Sequence, residues 1–172
     1  MKLSTLTAAV LATLLATYTG NPRVAHAQDT KTFTANLVGD NEVPPINTKA
    51  TATLKLTIGS TNTFTVTYAD LSTPLLFSHF HFAPTKVAGG VMIFLCGGGG
   101  QPNCPQTLSG TITGTMTGAN VVALAAQGIA AGDLTSALEA VTEGNAYFNM
   151  HTTMFPGGEL RGQIRSGRGG EN

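Results

Sequence analysis

Leu75-Leu76-Phe77-Ser78-His79-Phe80-His81-Phe82 is the stretch that decides how the rest of the chain is read. Successive side chains of an extended strand point to opposite faces, so His79 and His81 share one face while Phe80 and Phe82 take the other. The strand therefore has a chemical face and a packing face. A second stretch, Tyr147-Phe148-Asn149-Met150-His151, has the same character, with Asn149 and His151 on one face. The expectation is a β scaffold that brings these two strands together.

Working outward, the same alternation recurs. Lys31 to Val38 sets Phe33, Ala35 and Leu37 against Thr32, Thr34 and Asn36, and Ala50 to Ile58 sets Ala52, Leu54, Leu56 and Ile58 against Thr51, Thr53, Lys55 and Thr57. Both patterns have the period of a half-buried strand. Gly59-Ser60-Thr61-Asn62 supplies a turn into a returning strand marked by Phe64, Val66 and Tyr68, which predicts an antiparallel hairpin. Glu42-Val43-Pro44-Pro45 reads as a rigid extended loop, because consecutive prolines cannot continue a ladder.

Val91 to Leu95 is apolar enough for a buried strand, and Thr107 to Thr117 alternates again, with Gly110 and Gly114 marking a bend or a close approach. One helix is predicted over Asp133 to Val141, where Leu134, Leu138 and Val141 recur at helical spacing, Asp133 caps the start and Gly144 ends it. Val121 to Ala126 adds a further helical turn. Glu159 to Ile164 returns to strand after the turn-forming Met154-Phe155-Pro156-Gly157-Gly158. The sum is an all-β Greek-key sandwich, immunoglobulin-like or superoxide-dismutase-like, of seven or eight antiparallel strands with one short helix.

The ends of the 172-residue chain read differently. Met1-Lys2, the apolar run from Leu3 to about Tyr18, and Ala25-His26-Ala27 have the three regions of a secretory signal peptide, with cleavage expected after Ala27. The run is too short and Thr-rich for a membrane span of about 20 apolar residues. This gives a leader over 1–27, one domain over 28–165 and a flexible, Gly-rich tail over 166–172. The expected location is secreted or periplasmic. Without the leader, seven Lys and Arg face nine Asp and Glu, a net −2 that makes no electrostatic case for nucleic acid.

Cys96 and Cys104 are the two cysteines. In an exported chain such a close pair is most simply a disulfide, contributing roughly 2–3 kcal/mol by loop closure. Metal ligation by the two thiolates is the alternative.

Of four histidines, His26 falls in the leader, leaving His79, His81 and His151. Imidazoles two apart on a strand converge on one ion at about 2 Å per bond, and a third from a neighbouring strand closes the set. Imidazole suits copper and zinc, and copper binds such nitrogen donors more tightly. Asn149, Glu159 or Gln163 would orient a ring by accepting its second N–H. The alternative is that His79 and His81 are hydrogen-bonded strand residues near the rim and His151 fixes a turn. Ser78 lies on the opposite strand face from His79 and cannot pair with it as a nucleophile. Glu159 and Arg161 share a face, which favours a structural pairing across the sheet.

Taken in order, Glu42-Val43-Pro44-Pro45, His79-Phe80-His81, and Gly144-Asn145-Ala146-Tyr147-Phe148-Asn149-Met150-His151-Thr152 leading into Pro156-Gly157-Gly158-Glu159-Leu160-Arg161-Gly162-Gln163 resemble the signature of the CHRD domain, named after chordin. One departure is Phe82-Ala83-Pro84 after the histidine pair, where the family commonly has a small-residue turn. The resemblance implies an extracellular β-sandwich module, free-standing and secreted in bacteria, and no settled activity. A weaker similarity is to the copper side of copper/zinc superoxide dismutase. It would make His79, His81 and His151 copper ligands and Arg161 an anion guide, but the bridging histidine and the zinc ligands have no counterpart. Two functions follow as expectations. One is a non-enzymatic secreted binding module, its histidines holding copper or serving structure while it meets an extracellular protein or surface ligand. The other is a copper-dependent redox enzyme of dismutase type.

Overall fold

The structure is a computed structural model that describes residues 29–167; the expected leader and its cleavage site lie outside the described residues. Nine strands form: β1 (Lys31–Val38), β2 (Thr51–Ile58), β3 (Asn62–Ala69), β4 (Leu75–Phe82), β5 (Gly90–Cys96), β6 (Gly110–Met116), β7 (Ala146–Thr152), β8 (Leu160–Gln163) and the short β9 (Arg165–Ser166). Among the described residues the single α-helix, α1, spans Leu134–Thr142. Eight strands run in the order β5-β4-β7-β8-β1-β2-β3-β6, with β9 added to β1, and neighbours pair antiparallel throughout. The edge strands β5 and β6 return close to one another, so the sheet rolls into a flattened, nearly closed barrel. The all-β expectation holds.

Alternation places Phe33, Ala35, Leu37, Leu54, Leu56, Phe64 and Val66 inside, and Thr32, Thr34, Thr53 and Thr67 in solvent. The inward-facing residues of β4 and β7, Phe80, Phe148 and Met150, join the same core. The hairpin of β2 and β3 forms in continuous register from Thr51↔Ala69 to Thr57↔Thr63. β6 is shorter than its threonine pattern predicts, and its register with β3 is unbroken. Its glycines therefore mark close approach, not a bend: a Cβ on Gly114 would stand 2.7 Å from the Phe64 ring.

In α1 the Asp133 carboxylate accepts from the Ser136 amide at 3.0 Å, the expected N-cap. The buried stripe is Ala137, Ala140 and Val141, with Leu134 and Leu138 packed only partly against the core. Small residues bring the helix close to the sheet, which the leucine spacing did not anticipate. The helical turn expected over Val121 to Ala126 is replaced by two short 3-10 turns, Gly118–Asn120 and Ala125–Gln127, while Val121 bridges to Ile93. At the C-terminal end the sheet continues past the expected tail boundary. Arg165–Ser166 pairs with β1, and the Gly167 amide donates to the Thr32 carbonyl at 2.8 Å.

Cys96 and Cys104 form a disulfide, Cα to Cα 5.0 Å, which excludes their thiolates as ligands. It ties the end of β5 to the glycine-rich loop that follows. No helix among the described residues is long and apolar enough to cross a membrane.

Candidate metal centre

β4 and β7 are neighbours, and their register sets His79 opposite Asn149 and Phe77 opposite His151. The face carrying His79, His81, Asn149 and His151 is the one turned away from the barrel core. It is nevertheless buried, with His79 3%, His81 9% and His151 5% exposed. Register shifts in the β4–β5 pairing fall between Ser78 and His79 and between Phe80 and His81. Such irregularities re-aim side chains and sharpen local twist. Here they flank both histidines of the pair.

The three imidazoles converge. Ring centroids stand 4.5 Å apart for His79 and His151, 4.6 Å for His79 and His81, and 6.4 Å for His81 and His151. Their potential ligand atoms all lie within 4.8 Å of one another. His79 Nδ1, His81 Nε2 and His151 Nε2 are buried and have no hydrogen-bond partner. A buried polar atom left unpaired costs roughly 1–3 kcal/mol, so three together need a reason.

The remaining nitrogens of two rings are fixed. His81 Nδ1 donates to the Gly89 carbonyl at 2.8 Å, and His151 Nδ1 donates to the Pro156 carbonyl at 3.0 Å. A carbonyl can only accept, so each Nδ1 carries the proton and each Nε2 keeps its lone pair. A carbonyl that takes the proton of one ring nitrogen leaves the other free to bind a metal. Bonds of about 2.0–2.1 Å would place donors closer together than they stand, so small ring movements would complete the approach.

Electrostatics keeps the rings neutral. Burial, then the neighbouring His81 and His151, lowers His79 from 6.5 to about 2. Burial also lowers His81 to about 4, opposed by the Gly89 carbonyl and assisted by the Arg161 charge. His151 falls to about 4 by burial, against its bond to Pro156. Neutral imidazole is the ligating form.

The polar residues expected to hold the rings hold something one step further out. Glu159, fully buried, accepts from Thr48 Oγ1 at 2.8 Å, Ser72 Oγ at 2.7 Å, Ser72 N at 3.0 Å and Thr152 Oγ1 at 2.8 Å. It thereby anchors the loop whose Pro156 carbonyl meets His151. Gln163 donates to the carbonyls of Ala83 and Gly144, at 3.1 and 2.9 Å, and so straps down the loop that presents Gly89. Asn149 donates to the Glu42 carboxylate and to the Leu160 carbonyl, and lies close enough to His81 to favour its charged form. Backbone carbonyls suffice as direct partners for His81 and His151 because tight loops bring them to the strand ends, and side-chain parity gives no sign of that.

Arg161 lies under cover, 3% exposed, and does not reach outward as an anion guide would. Its Nη2 donates to Val87 O at 2.8 Å, and its guanidinium carbon sits 3.5 Å from the Tyr147 ring centroid. On its other face Tyr147 stacks against His81, 4.5 Å between centroids and 5° between planes. The result is a three-layer stack of guanidinium, phenol and imidazole. Phe77 and Phe94 complete the walls, 4.6 Å from His151 and 5.0 Å from His79 respectively. Sequence reasoning missed this aromatic lining and also Glu42, a buried carboxyl that burial raises to about 7 against the opposing pull of Arg161 and Asn149. The signal for Glu42 was present in the Glu42-Val43-Pro44-Pro45 motif but carried no indication of where the loop would fold.

The family model of the CHRD domain matches residues 33–164, which takes in every strand of the barrel that contributes to the centre. Comparison with curated proteins finds no match, and comparison with solved structures finds none. By the extent of that match, from the first strand through the Glu42 loop to the residue after Gln163, the chain belongs to the CHRD domain family.

Proposed function

We propose that this CHRD domain is an exported, non-enzymatic binding module whose His79, His81 and His151 hold a single metal ion, with copper as the preferred occupant. The observation that carries the reading is the set of three buried, unpartnered imidazole nitrogens, two of them on rings whose opposite nitrogen is pinned to a carbonyl. A structural role for the histidines would pair those nitrogens, since hydrogen-bonding capacity is seldom left unused inside a protein. Copper is preferred because it is among the ions that imidazole donors suit. The ion would be a bound cargo or a structural clasp between β4 and β7. Export is part of the same reading, supported by the disulfide and by the leader-like first 27 residues.

Burial of the rings, and of Arg161 on the far side of Tyr147, supports binding over rapid turnover of a small oxygen species. The test is to load purified protein with copper, remove the excess, measure bound metal and assay superoxide removal. About one copper per chain, lost in His151→Ala, with no rapid superoxide removal, is the expected result. Rapid turnover that falls in Arg161→Ala would favour a dismutase-type enzyme. Wild type without bound metal would leave an extracellular protein-interaction module with structural histidines.

A further inference from the structure

We infer that the centre is built for monovalent copper in three-coordinate form, and that it discriminates against copper(II) and zinc(II). This rests on the reading above, that His79, His81 and His151 hold a metal, and adds which state of the metal they select.

Donor inventory comes first. Among the described residues the one group of potential ligands close enough to share an ion is His79, His81 and His151. No carboxylate joins it: Glu42 is engaged by Asn149, and Glu159 by Thr48, Ser72 and Thr152. No thiolate joins it either, because both cysteines are in the disulfide. All three donors are neutral, so the bound ion would keep its full charge in a buried site.

Charge then separates the ions. The cost of taking an ion out of water rises with the square of its charge, so a dication costs about four times as much as a monocation of similar size. Three neutral imidazoles bring no negative charge to compensate the difference. The nearest fixed cation points the same way: the Arg161 guanidinium is separated from the His81 ring only by the ring of Tyr147.

Coordination number gives an independent argument. Zinc is almost always four-coordinate, and copper(II) prefers a tetragonal set of nitrogen and oxygen. With three protein donors, either would need water or another oxygen ligand. The donor nitrogens are buried, and Phe77, Phe94 and Tyr147 press against the rings that carry them. A low-charge ion content with three ligands fits without admitting water. The selection arises from charge and enclosure, since imidazole alone suits several metals.

The experiment compares three ions on the purified full-length protein under anaerobic conditions. Copper(I), in competition with bicinchoninate, is measured beside copper(II) and zinc(II), each in competition with a chelator of known affinity. The expected result is one copper(I) per chain, bound at least about 100-fold more tightly than zinc(II). X-ray absorption should show three nitrogen donors at about 2 Å and no fourth ligand. Phe94→Ala, which opens the wall beside His79 without touching a donor, should narrow the preference over zinc(II) by about tenfold or more. Zinc(II) or copper(II) bound as tightly as copper(I), or a four-coordinate copper(I) spectrum, overturns the selection while leaving the three-histidine site intact. No binding of any of the three ions, or wild-type binding by His151→Gln, overturns the underlying site as well.

Discussion

Acidifying the metal-free protein from pH 7.5 to pH 5 should cost it several kcal/mol of folding stability. His79, His81 and His151 have folded pKa values near 2, 4 and 4, all below the ordinary 6.5. In this interval the unfolded chain takes up protons that the folded chain refuses, so stability falls as pH falls. Each histidine removes about 2 kcal/mol, or about 6 together. Glu42 works in the opposite direction. Its folded value, raised from 4.5 to about 7, lets the native state bind a proton before the unfolded state does, which returns about 2 kcal/mol over the same interval. The net loss is about 4 kcal/mol, a large part of the 5–15 kcal/mol typical of a domain. Urea denaturation of chelator-treated protein at pH 5, 6 and 7.5, with the disulfide intact, measures it directly. Glu42→Gln removes the opposing contribution, so its acid loss should exceed that of wild type by about 2 kcal/mol. A stability that stays level or rises on acidification would refute the argument, because it would mean that the rings are already charged in the native state or open to water.

Three further perturbations probe what holds the centre. Glu159→Ala leaves the hydroxyls of Thr48, Ser72 and Thr152 and the Ser72 amide without their shared acceptor, and should destabilise by about 3–5 kcal/mol in chemical denaturation; a loss below about 1 kcal/mol would show that water replaces it. Gly158→Ala puts a Cβ 2.6 Å from Glu42 Oε1 and 2.8 Å from Asn149 Nδ2 at a residue with φ +129°, so it should cost about 1–3 kcal/mol and shift the His81 resonances in NMR spectra, whereas unchanged spectra would argue against contact between this turn and the centre. Replacing Cys96 and Cys104 by serine should lower stability by roughly 2–3 kcal/mol and leave metal stoichiometry intact, because the disulfide fastens the end of β5 and supplies no donor.

Much of this fold is legible because polar and apolar residues alternate so regularly. Thr32 to Leu37, Thr51 to Ile58 and Thr63 to Tyr68 each reveal one wet face and one dry face, and the strands form where that period holds. The same parity puts His79 with His81 and Asn149 with His151 whatever strands lie beside them. What parity cannot supply is the partner across the sheet. Asn149, Glu159 and Gln163 were natural choices to orient the rings because they are polar and share the face, yet Glu159 and Gln163 bind loops while carbonyls of Gly89 and Pro156 take the ring protons.

The reason is visible in β7, where all seven residues are buried although only alternate ones reach the core. A second burial surface exists on the outside of the barrel, made by loops around Glu42, Gly89 and Pro156 closing over the strand pair. A period of two predicts that such a face is polar and exposed; here it is polar and enclosed, because Glu159, Gln163 and Arg161 hydrogen-bond residues in or beside those loops. The barrel thus fixes where the histidines stand, whereas the loop anchors fix whether they are dry and which nitrogen is free. Chemistry at the centre should therefore respond to changes in the loops while the core of Phe80, Phe148 and Met150 stays packed.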